Sequence, residues 1–107
     1  MYLLRRICRT QPFKQWEVAG YLAKVCRAYQ AAGRNEAQIY IEGGAVPGAS
    51  SVVYAEWTQE RIEPTNTETV PEDVRTYAAK MLPLLTEYSI EFYELVTTEE
   101  LEKRGLG

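Results

Sequence analysis

The chain has 107 residues, with 12 Lys and Arg against 15 Asp and Glu, and it contains no histidine. The length fits one domain with a single core, and the net charge of −3 argues against nucleic acid or an anionic membrane as a partner. The lack of histidine excludes Ser-His and Cys-His nucleophile pairs, ordinary zinc sites and histidine-ligated haem, so we expect no metal and no cofactor.

Residues 2–9 mix strand-favouring apolar residues with arginines and predict a first strand. Thr10 and Pro12 are a helix-start signal, since threonine caps helices and proline is tolerated in the first turn. The predicted helix runs from about residue 12 to residue 32 and ends before Gly33, a natural C-terminal cap. Its apolar face is formed by residues at helical spacing: Val18, Leu22, Val25, Cys26 and Tyr29.

A β-hairpin is predicted in the middle of the chain. Residues 37–42 and 51–58 both alternate polar and apolar side chains with period two, which indicates two strands. The connecting residues 43–48 are rich in Gly and Pro. They lack the Gly-Lys-Ser/Thr ending of a phosphate-binding loop and lead into a strand, so they predict a hairpin turn.

The polar residues 59–70 predict a surface loop. Thr69 and Glu72 have the spacing of a capping box and predict the start of a second helix. The apolar pattern of this helix continues to about residue 87. Pro83 lies inside that pattern, so we expect the helix to bend or its regular part to end early.

Alternation over residues 89–96 predicts the last strand, and a short helical turn follows from residue 97. The order β-α-β-β-α-β is that of the α+β, ferredoxin-like fold. We therefore predict one domain over residues 1–107. Both crossovers should be right-handed, which gives an antiparallel sheet with strand order 4-1-3-2 and both helices on one face.

Side-chain alternation separates the two faces of this sheet. The residues expected to face the helices are Ile39, Ile41, Val53, Ala55, Ile90 and Phe92. The opposite face then carries Gln38, Tyr40, Glu42, Val52, Tyr54, Glu56, Glu91, Tyr93 and Leu95. Tyrosines among aliphatic residues are typical of interface cores, so we predict a homodimer whose interface includes Tyr40, Glu42, Tyr54, Glu56 and Tyr93. RNA binding is disfavoured because the carboxylates of this face would repel phosphate.

The first strand carries three arginines that are expected to form ion pairs with the neighbouring strands: Arg5, Arg6 and Arg9 with Glu56, Glu91 and Glu94. Glu94 alternates with the inward-facing residues of the last strand, so we expect it beneath the helices, where a carboxylate needs a partner or stays protonated. Arg6 is that partner if the even-numbered residues of the first strand face inward. The odd-numbered residues are equally apolar, so this orientation stays open.

The two strands of the hairpin and their connection resemble a known group of proteins. The segments concerned are Ile39-Tyr40-Ile41-Glu42-Gly43-Gly44, Pro47-Gly48 and Val52-Val53-Tyr54-Ala55-Glu56-Trp57. With them, the whole chain resembles the dimeric α/β-barrel superfamily, and more narrowly NIPSNAP-like small domains. The resemblance implies a dimer whose two sheets face each other. Relatives of this fold include cofactor-free monooxygenases that act on aromatic polyketides, small isomerases and many proteins without known activity.

The resemblance also implies a ligand pocket between the sheet and the helices. Aromatic residues of the chain predicted to line it are Trp16, Tyr21, Trp57, Tyr77 and Tyr88, together with Glu94. Three functions follow from this. The first is a non-enzymatic homodimer that binds a small apolar or aromatic molecule, favoured because no nucleophile–base pair is evident. The second is a cofactor-independent monooxygenase or isomerase for an aromatic or polyketide-like substrate, with Glu94, Arg6 and Tyr77 as catalytic candidates. The third is a pure assembly role.

Cellular location is the last prediction. Cys8 and Cys26 are far apart in the sequence and form no CxxC, which is typical of buried thiols in a reducing compartment. The N-terminal residues show no long apolar run after a basic start, and no apolar run is long enough to span a membrane. We therefore expect a cytoplasmic protein without a membrane partner.

Overall fold

The computed structural model describes residues 1–42, 51–61 and 70–107. The strands are β1 (Tyr2–Thr10), β2 (Gln38–Ile41), β3 (Val52–Gln59) and β4 (Leu85–Glu94), and the helices are α1 (Gln15–Ala31), α2 (Glu72–Met81) and α3 (Thr98–Lys103). A 3₁₀ turn, Leu82–Leu84, joins α2 to β4. The predicted α+β element order is therefore confirmed, and the helical turn predicted near the C-terminus is α3.

The four strands form one sheet in the order β2-β3-β1-β4, with every neighbouring pair antiparallel. This is the predicted order counted from the other edge of the sheet. β1 is a central strand, paired with β3 on one side and with β4 on the other. The predicted hairpin strands pair as β2 and β3. The turn predicted over residues 43–48 lies outside the described residues.

The register of β1 settles which of its side chains face the helices. Residues directly opposite each other in an antiparallel pair lie on the same side of the sheet. Cys8 lies opposite Val53, and both are fully buried in the core. The even-numbered residues of β1, including Arg6, therefore face the helices. The odd-numbered residues, including Arg5, lie on the opposite face.

The core lies between the sheet and the helices. Its most buried members come from β1, α1, β3 and α2: Leu4, Cys8, Val18, Leu22, Val53, Ala55, Trp57 and Met81. Ile39, Ile41 and Ile90 pack against this cluster with part of their surface exposed. The predicted inward orientation of the hairpin strands is thus confirmed. Among the residues that the structure describes, no helix is long and apolar enough to cross a membrane.

The predicted start of the first helix is wrong. Thr10 is the last residue of β1, and its buried hydroxyl donates to the Gln11 carbonyl at 2.9 Å and shares a hydrogen bond with the Ser51 hydroxyl. Thr10 is therefore used by the sheet and does not cap a helix. Phe13 then adopts a left-handed backbone with φ of 65°, which delays α1 to Gln15. The predicted cap at the other end is confirmed, because Gly33 has φ of 112° just after the helix.

The boundary between α2 and β4 also differs from the prediction. α2 ends at Met81 and not near residue 87, because Pro83 cannot donate a helical hydrogen bond and forms a 3₁₀ turn instead. β4 therefore begins at Leu85 and ends at Glu94, several residues earlier than expected. The turn is anchored to the end of β1: the Gln11 backbone N–H donates to the Leu84 carbonyl at 2.9 Å and the Gln11 side chain to the Pro83 carbonyl at 3.0 Å.

The capping box predicted from Thr69 and Glu72 is not testable on both of its members, because Thr69 lies outside the described residues. The residue that precedes α2 is Pro71, and no side-chain hydrogen bond caps this helix end among the described residues. Most of the loop predicted over 59–70 likewise lies outside them.

Burial of Cys8 predicts a pH dependence of stability. Burial raises the pKa of the Cys8 thiol to about 11, against 9.0 for an unperturbed thiol. Between these two values the unfolded chain loses the proton and the folded chain keeps it, so stability is complete below pH 9 and falls as the pH rises towards 11. We expect a loss of about 2 kcal/mol in the free energy of unfolding.

Urea unfolding at a series of pH values measures this loss, with Cys8→Ala as the control. The variant lacks the titrating thiol, so its free energy of unfolding should fall less steeply over the same pH range. Parallel curves for the two proteins would contradict the prediction.

Candidate functional site

Several of the predicted site residues lie on two surfaces of the sheet. The open face is the side turned away from the helices. The second surface lies on the helix side of the edge strand β4, where Tyr88, Ile90 and Phe92 lie beside Arg6 of β1. We call these four residues the β4 strip.

Arg5 organises the centre of the open face. It lies opposite Glu56 on β3 and Glu91 on β4. Its Nε donates to Glu56 Oε1 at 2.6 Å, and its Nη1 lies 3.8 Å from Glu91 Oε1. The guanidinium also lies 6.0 Å from the ring centre of Tyr54 and 5.5 Å from that of Tyr93. We call these five residues the Arg5 cluster.

Each glutamate on the strands of the open face and at the end of β2 has a partner within the chain. Besides the two glutamates of the Arg5 cluster, Glu87 pairs with Arg9 at 3.3 Å and Glu42 accepts a hydrogen bond from the Tyr54 hydroxyl at 3.1 Å. Glu91 also accepts from the Tyr93 hydroxyl at 2.6 Å. The face is therefore rich in charge, but its charges are largely compensated before any partner arrives.

The pKa values of two tyrosines on the open face are raised, each by a different main cause. Burial is the main cause for Tyr54, and the hydrogen bond to Glu42 adds to it. For Tyr93 the hydrogen bond to Glu91 is the main cause. Both phenols therefore stay protonated at neutral pH and act as hydrogen-bond donors, not as bases.

The residues predicted for the dimer interface all lie on this side of the molecule. Tyr40 and Tyr93 are exposed by 51% and 41%, and Glu42 is also exposed. Tyr54 and Glu56 are half-buried within the Arg5 cluster and its hydrogen bonds. Two aromatic rings thus remain open to solvent at the two edges of a compensated charged centre.

The β4 strip is covered unequally along one line of paired residues. Leu4 and Cys8 on β1 are 4% and 0% exposed. Their direct partners on β4, Phe92 and Tyr88, are 47% and 44% exposed. The helix layer therefore closes over β1 but leaves the aromatic rings of the adjacent strand in contact with solvent.

Arg6 lies on the helix side, and none of residues 1–42, 51–61 and 70–107 gives it an acidic partner. Its guanidinium lies 4.9 Å from the ring centre of Tyr88, and among the described residues no carboxylate is within ion-pair distance of it. Burial lowers the pKa of Arg6. No buried side-chain nitrogen or oxygen in the described part of the chain lacks a hydrogen-bond partner. The Arg6 side chain donates no hydrogen bond to a described residue. Its nitrogens are therefore not fully buried, and solvent reaches them.

A second arginine, Arg34, lies just beyond α1 in a similar setting. Its guanidinium lies 3.7 Å from the ring centre of Tyr29 and 4.8 Å from that of Trp57. Burial is the main cause of its lowered pKa, and the positive charge of Arg6 lowers it further. Sequence reasoning missed Arg34 and Tyr29, because nothing in the local pattern after Gly33 indicates that the chain returns to Trp57.

Two of the predicted pocket residues are misplaced. Glu94 is exposed at the end of β4, and no ion pair joins it to Arg6, so the prediction of a carboxylate beneath the helices is wrong. The alternation of β4 is as predicted, but the helices do not extend over its last residue. Trp16 is 82% exposed on the first turn of α1, so it is not enclosed between the sheet and the helices.

Tyr88 lies on the β4 strip, and the remaining predicted pocket residues lie in two other places. Tyr21 and Tyr77 stack between α1 and α2 with ring centres 6.4 Å apart. Trp57 is buried in the core, and its Nε1 donates to Gln59 at 2.9 Å. A depression beside the start of α2 is lined by other residues: Val70, Glu72, Arg75 and Thr76. The described residues hold no group of three Cys, Asp or Glu side chains arranged to bind a metal ion.

Comparisons with known proteins identify the fold. No protein-family model and no curated protein matches the chain. A NIPSNAP domain protein from Burkholderia xenovorans has a TM-score of 0.67 at 10% identity, covering 92% of this chain and 97% of its own. A protein described as an antibiotic biosynthesis monooxygenase has a TM-score of 0.64 at 7% identity, covering 91% and 100%. A dimeric ferredoxin-like protein of unknown function from Thermobifida fusca has a TM-score of 0.51 at 17% identity, covering 88% and 92%.

At these identities the likeness concerns the fold alone. It confirms that the chain resembles NIPSNAP-like domains and monooxygenase-like proteins with a ferredoxin-like fold. It assigns no reaction, ligand or oligomeric state to this chain.

The Arg5 cluster predicts a measurable coupling between two side chains. In a double-mutant cycle with Arg5→Met and Glu56→Gln, we expect a coupling energy of about 1 kcal/mol in the free energy of unfolding. The short contact and the limited exposure of the two side chains, 34% and 25%, place this pair at the upper end for surface ion pairs.

Arg9→Met and Glu87→Gln form the matched control cycle on the same face. That pair is also directly opposed, but it is longer at 3.3 Å and more exposed at 45% and 63%, so we expect less than about 0.5 kcal/mol. Urea unfolding measures both cycles. Equal coupling energies in the two cycles would contradict the prediction that Arg5 and Glu56 form the stronger ion pair of the open face.

Proposed function

We propose that this chain is a homodimeric domain whose two sheets pack through their open faces, and that each protomer binds a small aromatic or apolar molecule on its β4 strip. The observation that carries the binding function is the unequal cover of the paired strands β1 and β4. Two aromatic rings, Tyr88 and Phe92, stay exposed beside fully packed core residues.

The composition and internal pairing of the open face support the dimer. Interface cores are enriched in tyrosine and arginine, and both types are concentrated here in the Arg5 cluster. A charged face can be buried only if its charges have partners, and the glutamates of this face already have theirs. A two-fold axis brings one patch against a copy of itself, so it needs no second, complementary surface.

Exposed apolar surface on the helix side supports the ligand site. Tyr88 and Phe92 lie on the same side of one strand, about 13 Å apart, so a small planar molecule can lie over Ile90 between their rings. Arg6 beside them gives the site one polar group, which is the usual arrangement in small-molecule sites, where few polar groups orient a ligand among apolar ones.

We propose no reaction for this site. The name of one structural neighbour refers to a monooxygenase, but that name describes the neighbour. The catalytic interpretation of this sequence depended on Glu94 in an apolar pocket, and Glu94 is exposed to solvent. Tyr77, the other acid–base candidate, stacks with Tyr21 between the helices. Lys24 and Lys80 lie over its ring, and no described carboxylate bonds to its hydroxyl.

A charge placed on the open face tests the dimer. Tyr40→Lys adds an unpaired ammonium at two symmetry-related positions of the interface, so we expect dimerisation to weaken by roughly 100-fold. Tyr40 is 51% exposed and makes no side-chain hydrogen bond or ring contact with a described residue, so the protomer should stay folded. Sedimentation velocity over a range of protein concentrations gives the dissociation constant.

Trp16→Lys is the matched control, because it also replaces an exposed aromatic residue by lysine, but on the outer side of α1. This variant should remain as dimeric as the unmodified chain. Two results would exclude the open face as the interface. One is an unmodified chain that sediments as a monomer at every concentration, and the other is equal dimerisation of the two variants.

A neutral aromatic probe tests the ligand site. We expect 2-naphthylmethanol to bind with perturbation of the backbone amide signals of residues 88–92 in an NMR titration, and Phe92→Ser to weaken binding at least fivefold. Trp16→Ser removes an aromatic ring that lies elsewhere and should leave the affinity unchanged. If no signal moves at millimolar probe, or if the shifts centre on the open face, the proposed binding function is wrong.

A further inference from the structure

Arg5, Arg6 and Arg9 are close neighbours on β1 with different surroundings. Arg5 and Arg9 point to the open face, and each pairs with glutamate on an adjacent strand. Arg6 points to the helix side, where its guanidinium lies 4.9 Å from the ring centre of Tyr88 and no described carboxylate pairs with it. A cation that is partly removed from water and lacks a counter-ion is unfavourable, and burial indeed lowers its pKa.

Arg34 brings a second positive charge to the same region. Its guanidinium lies over the rings of Tyr29 and Trp57, and no described carboxylate pairs with it. Trp57, over whose ring Arg34 lies, is two residues along β3 from Ala55, the direct partner of Arg6, so both guanidinium groups lie on the helix side of neighbouring strands. Their mutual repulsion is not offset by any acidic side chain of the described chain.

We propose that Arg6 and Arg34 form the anion-binding side of the β4 strip, towards β3, and that the ligand of this domain is a small aromatic carboxylate. This inference rests on the proposed binding function and specifies its ligand. A guanidinium binds a carboxylate through two parallel hydrogen bonds, and no described residue accepts from the donors of Arg6, which solvent reaches. Tyr88 and Phe92 lie on either side of Ile90, the direct partner of Arg6, and take the apolar body of the ligand between them.

The two halves of the site explain each other. An aromatic floor without Arg6 would bind any apolar molecule with little selectivity. An arginine pair without the floor would attract any anion. Together they select molecules with a planar apolar body and one negative charge, and binding supplies the counter-ion that the described residues do not provide.

Two probes that differ only in charge test this assignment on the full-length protein. 2-Naphthoate and 2-naphthylmethanol share the same ring system, and only the first is an anion at pH 7. We expect isothermal titration to give at least tenfold tighter binding of 2-naphthoate at low salt. Added salt should weaken binding of 2-naphthoate and leave that of the alcohol unchanged.

Three arginine variants locate the effect. Arg6→Gln should abolish the preference for 2-naphthoate, and Arg34→Gln should reduce it, while both still bind the alcohol. Arg27→Gln removes an exposed arginine on α1 and should keep the full preference. Equal preference in Arg6→Gln and in the unmodified chain would overturn the role of Arg6.

The outcomes separate the two proposals. Equal binding of both probes to the unmodified chain overturns the anion site and leaves the aromatic site intact. Binding of neither probe overturns the binding function and the anion site with it. Should Arg6→Gln fail to fold, the arginine side-chain NMR signals of the unmodified chain decide the point. The Nε–H signals of Arg6 and Arg34 must shift with 2-naphthoate and stay in place with the alcohol, and the absence of such shifts overturns the assignment.

Discussion

The alternation of side chains along β1 is the constraint on which both surfaces depend. β1 is hydrogen-bonded to a strand on each side, so its register cannot slip without breaking two ladders at once. Leu4 and Cys8 must face the helices because they complete the core. Their burial fixes the direction of every other residue on the strand. Arg5 is thereby placed among glutamates on the open face, and Arg6 is placed under the helices.

Consecutive arginines thus acquire opposite chemistry from a period of two residues. The hydrogen bond to Glu56 raises the pKa of Arg5, whereas burial lowers that of Arg6. The first is neutralised by the chain and contributes to a self-contained surface. The second keeps an unused charge next to aromatic rings. The position of Arg34 has a further structural cause, since the negative end of the helix dipole favours a cation at the C-terminal end of α1, where the Arg34 backbone N–H donates to the Tyr29 carbonyl at 3.0 Å. That cause does not extend to Arg6 in the middle of a strand.

Much of the fold could be predicted because local signals agree with one another. The element order, the strand order and the inward faces of β2 and β3 follow from periodicity and turn residues. Errors arose where tertiary contacts decide. Thr10 is taken by the sheet through Ser51, and Pro83 shortens α2 and lengthens β4 at its start. The exposure of Glu94 and Trp16 depends on how far the helix layer extends, which alternation cannot indicate. The orientation of β1 could not be read from its sequence, because both sets of alternating residues are apolar enough to fill a core.

The short 3₁₀ turn between α2 and β4 bears on how two copies can associate. Exchange of an element between protomers requires a connection that can straighten into a hinge. Here the connection is three residues long, contains Pro83, and is bound through Gln11 to the end of β1. Opening it would break two hydrogen bonds and separate β4 from β1, the most extensively paired strand of the sheet. This connection therefore disfavours exchange of β4 between protomers, and the dimer proposed above is one between two chains that each keep their own β4, so its rate of formation depends on their concentration.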